Sequence, residues 1–223
     1  AARALQALKP KPCFRAATGR MSSTPVQKPA EKARPAELAV ISFGTKAAWT
    51  RWLDKNHATS AGLWILFAKK GSGITSVSYA EALDVALCYG WIDSQKKAHD
   101  ATTFLQKFTP RGAKSIWSRI NREKAVALTE SGMMRPAGAT EMDRARKDGR
   151  WDAAYEPQAR ALVPPDLQAA LDANQRAAKF FATLTSQNRY AILFRLHTAK
   201  RAETRARRIT EFVAMLARHE TFH

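Results

Sequence analysis

From Ile41 onward the apolar residues fall into two rhythms, short continuous runs and stripes spaced three and four apart, and each rhythm predicts a different element. The run Leu63-Trp64-Ile65-Leu66-Phe67-Ala68, released by Gly62 and closed by Lys69-Lys70-Gly71-Ser72-Gly73, predicts a strand covered on both faces. Before it, Thr45 is placed to cap a short helix through Leu53, with Trp49, Trp52 and Leu53 as its buried face. After it, Ser78-Tyr79-Ala80-Glu81 reads as a capping box: the serine accepts from the amide three residues on, and the glutamate reaches back to the serine amide. That helix turns Ala82, Leu83, Ala86 and Leu87 inward and closes at Gly90, in the left-handed position that a residue without Cβ adopts readily.

Two further strands are predicted, one over residues 91–95 and one over 102–109 with Phe104 and Phe108, followed by a turn from Pro110 to Lys114. Ser115 or Ser118 then caps a helix through Glu130, with Ile120 and Leu128 inward and Gly132 past its end. Pro136 suits the first turn of another short helix that stops at Gly149. Residues 151–163 read as an irregular segment that wraps the surface or links two units, with Pro157 inside it and Pro164 just after. Beyond it the pattern is purely helical. Pro165 opens one helix, a second runs through Phe180, Phe181 and Leu184, and Ser186 caps a third with Tyr190, Ile192, Leu193 and Leu196. The last, about 202–218, sets Ile209, Phe212, Val213 and Leu216 on one face. The expected fold is α+β: a small mixed sheet with packed helices over 41–155, then an all-helical module over 160–218.

Residues 1–40 lack such a pattern. Pro25, Pro29 and Pro35 stand among Lys, Glu and Ala, a mixture that buries too little apolar surface to order itself, so a disordered basic tail is expected. Residues 1–30 contain no acid and are rich in Ala and Ser, the composition of a mitochondrial or plastid transit peptide. The alternative, that Met21-Ser22-Ser23-Thr24 is the start, leaves a cytoplasmic protein. The two cysteines, Cys13 and Cys88, provide no disulfide framework, and no run is long and apolar enough to span a bilayer.

Charge adds a functional question. Lys and Arg number 37 against 19 Asp and Glu, a net charge of +18 that draws nucleic acid, anionic lipid or acidic surfaces. Catalytic and metal templates are missing: the five histidines have no ligand spacing, so no metal or cofactor is expected. Gly112-Ala113-Lys114-Ser115 has only the end of a phosphate loop, and no G-x-S-x-G elbow occurs.

The candidate ligand site is the corner at Tyr89–Asp93 together with residues 109–121. Trp91 and Asp93 fall on one face of a strand, and with Arg111, Trp117, Ser118 and Asn121 they combine aromatic surface, a carboxylate, a guanidinium and hydrogen-bonding groups. Arg111 and Lys114 precede a helix start, where an anion is favoured. In this reading Trp91 and Asp93 orient a small anionic ligand and Arg111 pairs its charge. The competing reading is architectural: Asp93 pairs with Arg111, Ser118 and Asn121 cap a helix, and the tryptophans are core. A third possibility is an enzyme with Asp93 as general base. Separately, Lys200, Arg201, Arg205, Arg207 and Arg208 crowd the start of the last helix, where positive charge opposes the helix dipole. They suit nucleic acid or an acidic protein surface unless they are solvated or paired within the chain.

Two blocks carry a resemblance. The first is Ala86-Leu87-Cys88-Tyr89-Gly90-Trp91-Ile92-Asp93 with Phe108-Thr109-Pro110-Arg111 and Ser115-Ile116-Trp117-Ser118-Arg119-Ile120-Asn121; the second is residues 197–209, His-Thr-Ala-Lys-Arg-Ala-Glu-Thr-Arg-Ala-Arg-Arg-Ile. Both resemble the YdeI/OmpD-associated family, over roughly residues 41–218. The resemblance implies an association with stress and with resistance to cationic antimicrobial peptides, and it brings no catalytic residues with it. A net charge of +18 is expected to repel such peptides rather than sequester them.

Overall fold

A computed structural model of the chain describes residues 37–222. The tail and leader expected over residues 1–40 lie almost wholly outside the described residues. Four strands and eight helices follow in the order β1 (Val40–Ile41), α1 (Lys46–Asn56), β2 (Leu63–Ala68), α2 (Tyr79–Cys88), β3 (Trp91–Ala98), β4 (Thr103–Pro110), α3 (Arg119–Glu130), α4 (Pro136–Lys147), α5 (Pro165–Asp172), α6 (Gln175–Thr183), α7 (Ser186–His197) and α8 (Ala202–Ala217). The fold is α+β, as the pattern predicts.

The sheet order is β1-β2-β4-β3, with β1 parallel to β2 and both remaining pairings antiparallel. Strands β2 and β3 therefore run in the same direction, joined through α2, with β4 inserted between them. The two-residue β1 is too short to register in any periodicity and is fixed by pairing with β2.

Strand β2 departs from the expected two-sided burial. Leu63, Ile65 and Phe67 are buried, whereas Trp64, Leu66 and Ala68 are half-buried, so helices cover one face only. On the other face the Lys97 ammonium sits 4.5 Å over the Trp64 ring, its stem shielding the indole while its charge stays in water. The covered face carries the main core. Trp49 of α1 lies wholly buried against Trp91 and Phe108, with ring centroids at 6.2 and 5.8 Å, and its indole N–H donates to Ala82 O of α2 at 3.0 Å.

The capping box at Ser78 forms as read, with Ser78 Oγ accepting from the Glu81 amide and Glu81 Oε2 from the Ser78 amide. Gly90 adopts φ 72°, and a Cβ there would lie 2.8 Å from Glu141 Cγ, so both the turn and the neighbouring α4 demand glycine. Helix α3 is capped by Ser118 rather than Ser115. Ile120, expected inward, is exposed, because the buried stripe of α3 runs through Ala125 and Leu128 and leaves the helix's first turn outside it.

Helices α5 to α8 enclose a second hydrophobic cluster, with Leu167, Leu171, Phe181, Ile192, Leu196, Ile209, Phe212 and Leu216 buried. Segment 153–156 ties the two clusters: Tyr190 Oη donates to Glu156 O at 3.0 Å, and the Tyr155 ring packs edge-on to Phe194 at 5.1 Å. Among the described residues no helix is long and apolar enough to cross a membrane.

Candidate functional site

Strand β4 ends at Pro110, and the chain then turns through residues 111–118 into α3. The Arg111 amide donates to Gly90 O at 2.9 Å, which pins this turn to the end of α2. The segment is irregular, so its carbonyls need partners from elsewhere, and arginines supply them. Arg111 Nη1 donates to Ile116 O at 3.2 Å, Arg144 Nη2 to Arg111 O at 3.2 Å, and Arg150 Nη1 to Ser115 O at 2.6 Å. From the far side, the Tyr155 amide donates to Trp117 O and the Arg119 amide to Tyr155 O, a short parallel bridge between the turn and segment 153–156.

Within this turn the Arg111 guanidinium lies 3.7 Å over the Trp117 ring, and the residue is only 4% exposed. Its Nε and Nη2 are buried without an acceptor, as is Trp117 Nε1 and, on the adjacent Arg144, Nε. Among the described residues no carboxylate lies within ion-pairing distance of Arg111. Burial lowers the Arg111 pKa to about 10, an effect that Glu141 and Tyr155 oppose. At neutral pH it remains a cation. All four orphaned groups are donors, so the turn is short of acceptors, even though Glu141 pairs with Arg144 beside it.

The other predicted residues divide. Ser118 borders the turn as the cap of α3, its Oγ accepting from the Asn121 amide at 3.1 Å, so Asn121 takes part through its backbone. Asp93 is half-buried and accepts from Tyr79 Oη at 2.7 Å; it makes no ion pair with Arg111. Trp91 is not with them: it is 1% exposed in the main core, its indole N–H donating to His57 O at 3.1 Å.

Two tyrosines that the sequence reading passed over belong to the group. Tyr79 has its phenol pKa raised, first by burial and then by its hydrogen bond to Asp93. The Tyr155 phenol is also raised by burial, a shift opposed by the Ser118 hydroxyl, enhanced by Asp93 and opposed again by Arg111. A hydrogen bond ties Tyr79 to Asp93 and a backbone bridge ties Tyr155 to the Ser118 turn, and Asp93 acts electrostatically on both Arg111 and Tyr155. Tyr155 sits in the segment read as irregular, and a large aromatic among prolines was the available hint.

The cations of α8 are not one surface. Arg205 grips Asp166 through Nε and Nη2, at 2.5 and 2.8 Å, and donates from Nη1 to Leu196 O at 2.9 Å. Arg208 donates to Arg195 O and lies 3.5 Å from Thr198 Oγ1. Both therefore serve the carboxyl end of α7, where carbonyls lack helical partners and the dipole is negative. Lys200, Arg201 and Arg207 stay exposed, Arg207 with a loose 3.8 Å contact to Glu211.

The fold and this turn define a class: an α+β chain whose irregular segment is fastened by arginines, one of them buried, and whose C-terminal helices bury a core of their own. Comparison with known proteins finds two family models that each match part of the chain. Residues 160–219 match the family described as Bacteriocin-protection, YdeI or OmpD-Associated, and residues 41–141 match a Domain of unknown function (DUF8412). The chain thus carries a YdeI/OmpD-associated domain, and the first of the two blocks that suggested the kinship falls in the other match. No curated protein and no solved structure matches it.

Proposed function

We propose that the chain binds a small anionic ligand, a phosphate or carboxylate compound, at the Arg111 turn. The observation that carries this reading is the set of buried donors without acceptors: Arg111 Nε and Nη2, Trp117 Nε1 and Arg144 Nε. Each unsatisfied buried donor costs about 1–3 kcal/mol, more when charged, so an acceptor that reaches the turn recovers a large part of that deficit. Trp117 supports the guanidinium from one side, and the Tyr155 phenol, on which Arg111 acts electrostatically, is a further donor nearby. Asp93, already bonded to Tyr79, disfavours a ligand lying on its side of the group and so helps to orient one. An acidic partner side chain is a variant of the same chemistry.

The test is thermal unfolding with inorganic phosphate, sulfate or citrate against sodium chloride at matched ionic strength. A ligand at 100 times its dissociation constant adds about 2.7 kcal/mol of stability. The expected result is a saturable, anion-specific rise in midpoint that Arg111→Met abolishes. A midpoint that follows ionic strength alone, or an undiminished shift in Arg111→Met, rejects the reading and leaves the turn architectural.

A further inference from the structure

A cleft of about 280 Å³ opens where α1, the end of α2, the end of α3 and the start of α4 meet, away from the Arg111 turn. Its volume is at the small end of the roughly 300–1,000 Å³ typical of ligand clefts. The floor is apolar, made by Val85, Cys88 and Leu128, which are 4%, 6% and 6% exposed. Met133 stands at the rim, 46% exposed on the turn after α3.

The lining carries two cations and one carboxylate, and the carboxylate already has a partner. Asp84 is engaged by Lys124 at 2.6 Å, and Tyr89 Oη is committed to Asp54 outside the cleft. Lys46 and Arg135 also line it, and among the described residues neither has a carboxylate within ion-pairing distance. Both cations act on one point of the floor: the Cys88 thiol pKa is raised by burial and by Asp84, and Lys46 and Arg135 oppose that rise. The thiol stays protonated at neutral pH, so it serves as an apolar wall rather than a nucleophile.

An apolar floor beneath two cations that lack carboxylate partners, Arg135 resting against Tyr89, matches one chemical class. From it we infer a second binding site, for a small carboxylate with an apolar body, the body on Val85, Cys88 and Leu128 and the carboxylate between Lys46 and Arg135. Inorganic anions lack the body and neutral alcohols lack the charge, so this site differs from the Arg111 turn in its demand for an apolar body.

Calorimetric titration of the whole chain with octanoate, 1-octanol and acetate separates these contributions. Octanoate is expected to bind saturably, and octanol and acetate at least about tenfold more weakly, a difference of about 1.4 kcal/mol. The double variant Lys46→Gln, Arg135→Gln changes only exposed side chains and is expected to weaken octanoate by about tenfold or more. Arg111→Met is expected to leave octanoate binding intact, which keeps this site's failure distinguishable from failure of the Arg111 site. Bound octanoate is also expected to slow alkylation of Cys88. Absence of saturable octanoate binding, equal binding of octanol, an unaffected double variant, or an unchanged Cys88 alkylation rate each overturns the assignment.

Discussion

Arg205 holds Asp166 across the helical module, with two guanidinium nitrogens on the two carboxylate oxygens and a third donating to the carbonyl of Leu196. One side chain thereby joins the start of α5 to the end of α7. The Asp166 carboxyl is held below its ordinary range chiefly by the hydrogen bonds from Arg205. A depressed folded pKa stabilises the folded state fully above the unfolded value of about 3.9 and ceases to do so as pH falls through the folded value. The pair is partly exposed, so Asp166→Asn is expected to cost only about 1 kcal/mol at pH 7. Urea unfolding of both proteins across pH 2 to 7 checks this: the gap between them should close in acid, and a constant gap contradicts it.

Gly138 sits in α4 where the helix crosses the end of α2. A Cβ there would lie 2.7 Å from Leu87 O and closer still to Cys88 O and the Met134 sulfur. Alanine normally favours a helix, but here the contacting atoms include backbone that cannot withdraw. Gly138→Ala is expected to destabilise by about 3 kcal/mol, the upper part of the range for overpacking, measured as a drop in denaturation midpoint. A neutral or stabilising effect would show that α4 can slide away from α2.

At Arg111, substitution by methionine removes a buried charge and keeps much of the volume. Such exchanges are often neutral, and the losses here are one hydrogen bond to Ile116 O and the cation–π contact with Trp117, about 1 kcal/mol each. The expected outcome is a folded protein within about 2 kcal/mol of the parent. Loss of folding would mean that the guanidinium is structural above all.

For helix α8, the exposed Lys200, Arg201 and Arg207 are the side chains free to meet an outside phosphate. If an oligonucleotide binds this helix, alanine at all three is expected to reduce the slope of log affinity against log salt by about two to three, with stability nearly unchanged. A slope that survives the triple change places the binding elsewhere on the chain.

Much of the fold was legible because it is written in local patterns. The Ser78 box, the stop at Gly90 and the Ile209, Phe212, Leu216 stripe each depend on residues within a few positions of one another. What escaped the sequence depends on distance along the chain. Strand β1 exists only through β2, Ile120 faces outward because of where α3 crosses its neighbours, and Trp91 turned into the core because Trp49 and His57 receive it. In the candidate site, Arg111, Trp117 and Ser118 were adjacent in sequence and so were found together. Tyr79 and Tyr155 reach the same group from 32 and 44 residues away from Arg111, a relation that no spacing announces.

The habit of fastening loops with guanidinium groups on peptide carbonyls sets how the protein meets acid. Arg111, Arg122, Arg144, Arg150, Arg205 and Arg208 each donate to a carbonyl, and a carbonyl has no proton to gain at any pH a cell encounters. Carboxylate pairs fall silent as the medium sours, whereas these joints do not titrate. Neither do they cancel charge: residues 1–36 hold eight of the 37 basic side chains and one of the 19 acids, so residues 37–223 retain +11. The molecule is thus braced by one set of arginines, several of them paired or buried, while others, such as Lys200, Arg201 and Arg207, keep its exterior electropositive.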